Sequence, residues 1–243
     1  MSNLKISVVI PFYNTPLALF MECVHSVKKL KPFEIILVDD YSNNIELINF
    51  AKNSGCRYIK TAYQSGHDGI PFNLGVKEAK GDYICRVDSD DVLLELPNNM
   101  TYDIHFGNIE LVNIPTNFGI EELILAPRAI FNAMVIKKEL LVKYPLAEDC
   151  NVFGDVLLVL RLLHNKYTFD RHKKVNYIYR KREDSIQTSK SSFYHRLRNV
   201  QTVSRFCSLE YINPQLSVHY LELALMNVKY GSNSLKYYRQ NVK

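Results

Sequence analysis

Residues 81–91 of the 243-residue chain read Gly81-Asp82-Tyr83-Ile84-Cys85-Arg86-Val87-Asp88-Ser89-Asp90-Asp91. A short apolar run follows the glycine and ends in three carboxylates. The run is too short for a stable helix and is partly β-branched or aromatic, so we predict a buried strand. Open α/β sheets bind ligands at the carboxyl ends of their strands, so these acids mark a candidate ligand site.

The three acids of this stretch need a compensating charge. Asp88, Asp90 and Asp91 repel one another unless a cation or hydrogen-bond donors lie close to them. A hard divalent cation that also holds a diphosphate is the simplest compensation. A solvated acidic turn without a ligand is the alternative, and the stretch by itself leaves both interpretations open.

The preceding segments alternate between apolar runs and helical periodicity. We predict strands over residues 4–10, 34–38 and 57–61 and helices over residues 16–30, 45–53 and 71–79. We expect Pro11 to end the first strand. Strands that alternate with helices in this way form a mostly parallel central sheet flanked by helices, which is an α/β fold.

A second pair of acids comes after another predicted strand. Asp39 and Asp40 come directly after residues 34–38, just as Asp88 and its neighbours come after residues 83–87. Because the carboxyl ends of parallel strands meet at one edge of a sheet, we expect both sets of acids to lie along that edge. Solvated charges have no reason to favour this edge, so the pattern favours a ligand site.

The composition is that of a globular domain, with 47% hydrophobic and 23% charged residues. The five cysteines are scattered and form no CxxC pair, which argues against a zinc site or a disulfide framework. No GxGxxG or GxxxxGK[ST] phosphate loop occurs. Residues 1–160 carry 14 basic and 20 acidic side chains, whereas residues 161–243 carry 16 and 5, so the charge is asymmetric.

Four segments, in this order and spacing, resemble glycosyltransferase family 2. They are residues 7–14 (SVVIPFYN), 36–42 (ILVDDYS), 73–75 (NLG) and 81–91, within the first hundred residues of the chain. Two departures from the family pattern are Tyr41, where the family often has glycine, and the pair Asn43-Asn44, where it often has Thr-Asp.

The resemblance implies the GT-A fold of nucleotide-diphospho-sugar transferases, with a Rossmann-like, mostly parallel central sheet flanked by helices. We expect residues 1–189 to form this glycosyltransferase domain. Residues 190–243 look helical and basic, and we expect them to form a C-terminal extension that packs on it.

The resemblance also implies roles for individual residues. Asp88 and Asp90 would hold Mn²⁺ or Mg²⁺, and we expect Asp91 to orient a metal-bound water or to cap the segment after it. Asp39 and Asp40 suit hydrogen bonds from a ribose or a uracil, although one of them could instead cap the next helix. The full set implied to bind the nucleotide sugar is Pro11, Tyr13, Asp39, Asp40, Asn73, Asp88, Arg180 and Arg182.

Asp155 is the residue that the resemblance implies as catalytic base. It precedes an amphipathic run over residues 156–164, but Gly154 stands where the family has a first acid. Asp149 is the competing candidate because Glu148-Asp149 is a literal Glu-Asp pair. An ordinary N-cap is the alternative role for Asp155, and a solvated basic loop is the alternative for Arg180 and Arg182.

The implied activity is that of an inverting, metal-dependent, non-processive glycosyltransferase. It would move a sugar from a nucleoside-diphosphate sugar, in first place a UDP-sugar, to a hydroxyl of a glycan or lipid-linked glycan, as in bacterial surface polysaccharide synthesis. The chain has no tryptophan, so the Gln-x-x-Arg-Trp signature of processive synthases is missing. Two alternatives stay open: a non-catalytic sugar-nucleotide-binding subunit and a nucleotidyltransferase that makes sugar nucleotides.

The basic C-terminal part has two interpretations. It could hold the protein on an anionic membrane surface or beside an anionic acceptor, or it could be a solvated helix pair that completes the fold. We expect a cytoplasmic protein, peripheral at the inner face of the membrane in the first case. We expect no nucleic-acid partner because no recognised binding motif accompanies the charge.

Overall fold

The computed structural model describes residues 4–109, 119–127, 131–149, 153–180 and 192–241. The chain divides into two compact units. The first takes its residues from Met1–Ile114, Ile130–Glu148 and Thr168–Arg180, and the second from Pro115–Ala129, Asp149–Tyr167 and Lys181–Lys243. The predicted domains, residues 1–189 and 190–243, stay a prediction.

The first unit begins with alternating strands and helices, as predicted. The elements are β1 (Ile6–Phe12), α1 (Leu17–Lys29), β2 (Glu34–Asp39), α2 (Ile45–Asn53), β3 (Arg57–Lys60), α3 (Gly69–Glu78) and β4 (Tyr83–Arg86). All seven residues of β1 are buried, which is typical of a central parallel strand covered on both faces. In α1 the buried residues Phe20, Cys23, Val24 and Val27 are arranged at helical spacing.

The later elements were predicted less completely. They are β5 (Val92–Leu93), β6 (Ile104–Phe106), α4 (Ile120–Leu125), β7 (Val135–Lys137), α5 (Lys138–Lys143), α6 (Gly154–His164), β8 (Phe169–Arg171), β9 (Tyr177–Ile178), α7 (Ser192–Leu209), α8 (Pro214–Tyr230) and α9 (Ser234–Asn241). Of these elements, α6 matches the amphipathic run expected over residues 156–164, and α7 to α9 match the helical character expected for residues 190–243. The short elements β5, α4 and β8 were not predicted.

The main sheet has the strand order β3-β2-β1-β4-β7-β6-β8. Strands β1 to β4 pair in parallel, whereas β7 pairs antiparallel with both β4 and β6. The predicted mostly parallel α/β sheet is therefore confirmed, with antiparallel β7 inserted beside β4. A second sheet consists of the antiparallel pair β5 and β9.

Pro11 does not end the first strand, contrary to expectation. It lies inside β1 in register with Val38 of β2. The Phe12 carbonyl accepts the Asp40 N–H on the β2 side. Successive residues of a strand direct their backbone groups to opposite sides, so the backbone nitrogen of Pro11 faces the β4 side. Registered pairing of β1 with β4 stops at Val9, so the N–H that proline lacks is not needed there.

Gly81 allows β4 to begin directly beside β1. A Cβ at this position would lie 2.5 Å from Ser7 Oγ and 2.7 Å from the Lys5 carbonyl oxygen. The Gly81 N–H donates to Ser7 Oγ at 2.9 Å, which fixes this close approach. Glycine is therefore required where the strand carrying the acids enters the sheet.

The second unit is helical in its described part. The Asn199 side chain of α7 donates to the Ile124 carbonyl at 2.8 Å, and Asn227 of α8 donates to the Leu125 carbonyl at 2.8 Å. Buried side chains of the C-terminal helices thus satisfy the carbonyls at the end of α4. Within the described ranges, no helix combines the length and apolar character that a membrane crossing requires.

Candidate functional site

The candidate site lies at the carboxyl ends of β2 and β4, on either side of β1. Both strands pair in parallel with β1, with Asp39 in register with Phe12 and Arg86 in register with Val9. The two sets of acids at the ends of β2 and β4 therefore lie at the same edge of the sheet. This edge is where an open α/β sheet binds ligands.

Asp39 is fully buried, and both of its oxygens accept hydrogen bonds inside the protein. The donors are the Ser42 N–H, at 2.7 Å from Oδ1, and the Tyr58 hydroxyl, at 2.7 Å from Oδ2. Burial, followed by the Asp39 bond, raises the pKa of Tyr58 well above its ordinary value, so this hydroxyl stays a donor. The carboxylate holds the turn after β2.

Asp40 is also buried and holds the loop after β3. Its oxygens accept the Ser65 N–H at 3.1 Å and the Ser65 hydroxyl at 2.8 Å. Neither acid caps α2, because Asn44 is the N-cap and accepts the Leu47 N–H at 3.1 Å. The two aspartates thus hold the loops after β2 and β3, and their contacts to a nucleotide stay a prediction.

Tyr41 adopts a left-handed backbone conformation with φ of +67°. Glycine adopts this conformation without steric cost, which explains why the family pattern described above often has glycine at this position. The exposed Tyr41 ring lies under the Lys60 ammonium, 4.3 Å from the ring centroid, and this cation–π contact offsets part of the strain.

The loop after β1 joins the two acidic segments. Asn14 Oδ1 accepts the N–H groups of Asn43 and Asn44 at 3.1 and 3.2 Å, and Thr15 Oγ1 lies 2.6 Å from Ser89 Oγ. Pro11 is buried, whereas the Tyr13 side chain is 41% exposed beside this loop. Of these two predicted nucleotide-binding residues, only Tyr13 therefore presents much of its side chain to solvent.

Asp88 is held by the strand that precedes it. Its Oδ1 accepts two hydrogen bonds from Arg86, from Nε at 3.0 Å and from Nη2 at 2.9 Å. Its backbone N–H donates to the Tyr177 hydroxyl at 3.0 Å. Asp90, two residues on, is half-buried, and its carbonyl accepts a bond from Arg180 Nη1 at 3.4 Å.

Asp91 turns into the protein. Its Oδ2 accepts the Tyr177 hydroxyl at 2.8 Å and its Oδ1 accepts the Arg180 N–H at 2.8 Å. Burial raises the pKa of the Asp91 carboxyl to about 7, and the charge of Asp88 acts in the same direction. Asp91 therefore joins the acidic turn to β9 and to Arg180, which follows this strand.

Arg180 contacts the acidic turn. Besides the Asp90 carbonyl, its guanidinium pairs with Glu22 of α1 at 2.6 Å. Arg182, its predicted companion, lies outside the described residues. A contact between Arg180 and a nucleotide stays a prediction.

Asn73 lies on α3 and binds the chain near Leu146. Its amide donates to the Leu146 carbonyl at 2.8 Å and accepts the Leu146 N–H at 3.1 Å, and it also donates to Glu148 Oε1 at 2.9 Å. These contacts hold the segment after α5. The predicted nucleotide-binding role of Asn73 is not tested by this geometry.

Asp155 lies in the second unit, in the first turn of α6. The N-cap of that helix is Phe153, so Asp155 is not the ordinary capping residue that the sequence left open. Asp149 belongs to the same unit and pairs with Arg205. A carboxylate in the first turn of a helix interacts favourably with the helix dipole.

The donor atoms suit a hard divalent cation. Across the described residues, no group of three or more His, Cys, Asp or Glu side chains is placed to hold a metal by itself. Mg²⁺ and similar ions, however, bind through one or two carboxylates together with substrate phosphates. Asp88 and Asp90 fit such an ion when a diphosphate shares it.

Three functional candidates were missed or given no role at the sequence level. Arg86 and Tyr177 contact Asp88 directly, and Asp68 pairs with Arg86 at 2.5 Å. A signal for Arg86 was present, because an arginine inside a buried strand needs a partner of opposite charge. Tyr177 and Asp68 are distant in sequence, and no local pattern connects them to the acidic turn.

A sequence profile described as Glycosyl transferase family 2 matches residues 7–96. Among curated proteins, the chain is similar to the minor teichoic acid biosynthesis protein GgaB of Bacillus subtilis (strain 168), with 28% identity over 231 residues. That alignment takes in 80% of this chain and 26% of GgaB. The chain spans less than half the length of the first curated relatives that it matches.

Solved structures show the same fold at low sequence identity. One is Staphylococcus aureus TarS 1-349 in complex with UDP-GlcNAc, with a TM-score of 0.67, 18% identity and coverage of 98% of this chain and 76% of that chain. Another is the mannosyltransferase PcManGT from Pyrobaculum calidifontis in complex with GDP-Man and Mn²⁺, with a TM-score of 0.62, 14% identity and coverage of 98% and 76%.

Proposed function

We propose that this chain, whose residues 7–96 match glycosyltransferase family 2 and whose fold is GT-A, is an inverting, metal-dependent, non-processive glycosyltransferase. It moves a sugar from a nucleoside-diphosphate sugar to an acceptor hydroxyl. The observation that carries this proposal is the acidic turn after β4. Asp88 and Asp90 stand at the ligand-binding edge of the sheet, and hydrogen bonds that join Asp88 to Arg86 and Tyr177 hold the turn in one conformation.

The donor is a UDP-sugar in this proposal. Support comes from TarS, which has the same fold and was solved with UDP-GlcNAc. Tyr13 offers an exposed aromatic ring at the edge of the sheet. The loops that Asp39 and Asp40 hold through the Ser42 and Ser65 N–H groups follow β2 and β3.

Asp88 and Asp90 would hold Mn²⁺ or Mg²⁺ together with the diphosphate. The bound cation would neutralise negative charge on the departing nucleoside diphosphate. PcManGT, which also shares the fold, was solved with Mn²⁺. Arg180, whose guanidinium reaches the Asp90 carbonyl and Glu22, adds a cationic donor for the phosphates.

Asp155 accepts the proton of the acceptor hydroxyl as that oxygen attacks the anomeric carbon. The bond from this carbon to the diphosphate oxygen breaks in the same displacement, so the configuration inverts. General-base catalysis of this kind contributes about 10²–10⁴-fold in rate. The proposal rests on the place of Asp155 in the first turn of α6 and on the family resemblance.

The acceptor is a bacterial surface polysaccharide or its lipid-linked precursor. The similarity to a teichoic acid biosynthesis protein supports this class. The missing tryptophan argues against processive synthesis, so one transfer per encounter is proposed. Such an acceptor would place the protein in the cytoplasm or at the inner membrane face.

Replacing Asp90 by alanine tests whether the acidic turn binds the cation and the diphosphate. Mn²⁺-dependent binding of UDP-GlcNAc or UDP-glucose should be lost, while the thermal unfolding of the ligand-free protein stays unchanged, because Asp90 lies at a sheet edge. The matched control is Asp82→Ala, which removes an exposed acid at the other end of β4. Calorimetric titration with and without Mn²⁺ provides the measurement.

If Asp90→Ala binds the UDP-sugar with unchanged affinity and unchanged dependence on Mn²⁺, the acidic turn does not bind the cation and the diphosphate. Binding of the donor without any transfer or hydrolysis by the native protein would favour the non-catalytic alternative, which Gly154 keeps open.

A further inference from the structure

Arg86 is a buried arginine that binds two carboxylates. It is the last residue of β4, and its guanidinium donates through Nε and Nη2 to Asp88 Oδ1 at 3.0 and 2.9 Å. The same Nη2 lies 2.5 Å from Asp68 Oδ2, at the start of α3. The Arg86 side chain is 10% exposed, whereas that of Asp68 is 55% exposed.

Aromatic rings fix the orientation of this guanidinium. Its central carbon lies 5.7 Å from the ring centroid of Phe72 and 5.2 Å from that of Phe131. Both rings are buried and contact each other edge to face at 5.3 Å. When the face of a guanidinium packs on aromatic rings, the N–H groups at its edge stay available to bind the two carboxylates.

The burial of a charged group requires that its partners be close and well oriented. Arg86 meets this requirement, because its Nη2 lies 2.5 Å from Asp68 Oδ2 and 2.9 Å from Asp88 Oδ1. Removal of one partner from a buried ion pair is strongly destabilising, so Arg86 and its two carboxylate partners depend on one another.

We infer that Arg86 is a positioning residue that sets the orientation of the Asp88 carboxylate for the cation and diphosphate of the donor. This inference rests on the proposed function. Both hydrogen bonds end on Oδ1 and hold this oxygen against the guanidinium. Carboxylates that ligate metals are commonly oriented by hydrogen bonds from outer-shell groups in this manner.

The competing explanation is a structural one. Arg86 could merely hold Asp68, and with it the start of α3, against the end of β4. Lysine separates the two roles, because an ammonium can still pair with one acid but lacks the planar guanidinium whose Nε and Nη2 both donate to Asp88 Oδ1. A structural role predicts a change in stability without a change in metal affinity.

The test compares Arg86→Lys with the native chain. Mn²⁺ is titrated in the presence of a fixed UDP concentration, bound Mn²⁺ is measured by electron paramagnetic resonance, and thermal unfolding is recorded without ligand. We expect Mn²⁺ affinity to fall about 10-fold or more, as is typical when an outer-shell partner of a ligand is removed. Arg57→Lys is the matched control, since Arg57 pairs with Glu78 and not with the acidic turn.

Phe131→Leu provides a second variant in case Arg86→Lys does not fold. Phe131→Leu removes an aromatic ring that packs on the Arg86 guanidinium and changes no charge. We expect this variant to fold and to bind Mn²⁺ more weakly. Mn²⁺ affinity equal to that of the native chain in a folded Arg86→Lys or Phe131→Leu variant overturns the inference and leaves the proposed function standing. Absence of Mn²⁺ and UDP binding in the native chain overturns both.

Discussion

One buried hydroxyl determines where the acidic turn lies. The Tyr177 oxygen accepts the Asp88 N–H and donates to the Asp91 carboxylate, so it holds both ends of the turn. Burial and the nearby acids raise the pKa of Tyr177 well above its ordinary value, so the hydroxyl keeps its proton. Three adjacent acids can therefore coexist, because Asp91 is engaged inside the protein while Asp88 and Asp90 stay at the sheet edge.

The role of Asp155 is tested by Asp155→Asn. The amide keeps the size of the side chain but cannot accept a proton at neutral pH. If Asp155 is the base, the turnover number should fall at least ~10²-fold while the affinity for UDP stays unchanged. Transfer assays and calorimetric titration with UDP measure the two quantities separately.

Asp149→Asn is the matched control for this prediction. Asp149 pairs with Arg205, so its loss should affect turnover much less. Near-normal turnover in Asp155→Asn together with collapse in Asp149→Asn would mean that the base is Asp149.

Among the elements, β6, β7 and β8 are joined by one carboxylate. Asp103, just before β6, binds Lys137 at the end of β7 at 2.7 Å and accepts the Thr168 N–H and hydroxyl, before β8, at 2.9 and 2.8 Å. The Lys137 bond is the first of the contacts that lower the pKa of Asp103 to about 2. Asp103 thus joins three strands that are distant in sequence.

This arrangement predicts a defined pH dependence for Asp103→Asn. A lowered pKa contributes stability above the unfolded-state value near 3.9, and this contribution is lost as the pH falls toward about 2. We therefore expect the variant to be less stable by about 1 kcal/mol at pH 7, as is typical of a partly exposed ion pair. The difference from the native chain should shrink below pH 4.

Thermal unfolding of both proteins between pH 7 and pH 3 measures this difference. A stability difference that is the same at every pH would show that the loss comes from the neutral hydrogen bonds to Thr168 and not from the charge.

For the whole molecule, the open question is the role of the basic C-terminal helices. Val203 and Phe206 of α7 are fully buried in the second unit, and Arg161 of α6 pairs with Glu210 at 2.6 Å. Removal of residues 190–243 would expose this packed surface and leave the α4 carbonyls without their buried donors. These contacts favour the structural interpretation of the C-terminal part.

We expect the chain truncated after residue 189 to be insoluble or unfolded, as judged by circular dichroism and size-exclusion chromatography. A full-length variant with Lys236→Gln and Arg239→Gln serves as the control, because both side chains are exposed and their loss should leave the fold intact. A folded, soluble truncated chain with weaker binding to anionic vesicles would instead support the membrane-contact interpretation.

The sequence by itself determined the first half of the sheet and the place of its acids. Strands β1 to β4 and helices α1 to α3 were predictable from apolar runs and helical spacing, which are local properties of the chain. The acids of residues 39–40 and 88–91 come at the ends of two of these strands, so parallel pairing alone places them at a common edge.

Only the tertiary structure decided how the acids are used. Asp91 meets Tyr177 across 86 positions of the chain, and Arg86 meets Asp68 after the chain has passed through α3. The antiparallel insertion of β7 beside β4 likewise joins residues about 50 positions apart. Such contacts depend on which side chains meet after packing, and the periodicity of a short segment carries no information about a partner so far along the chain.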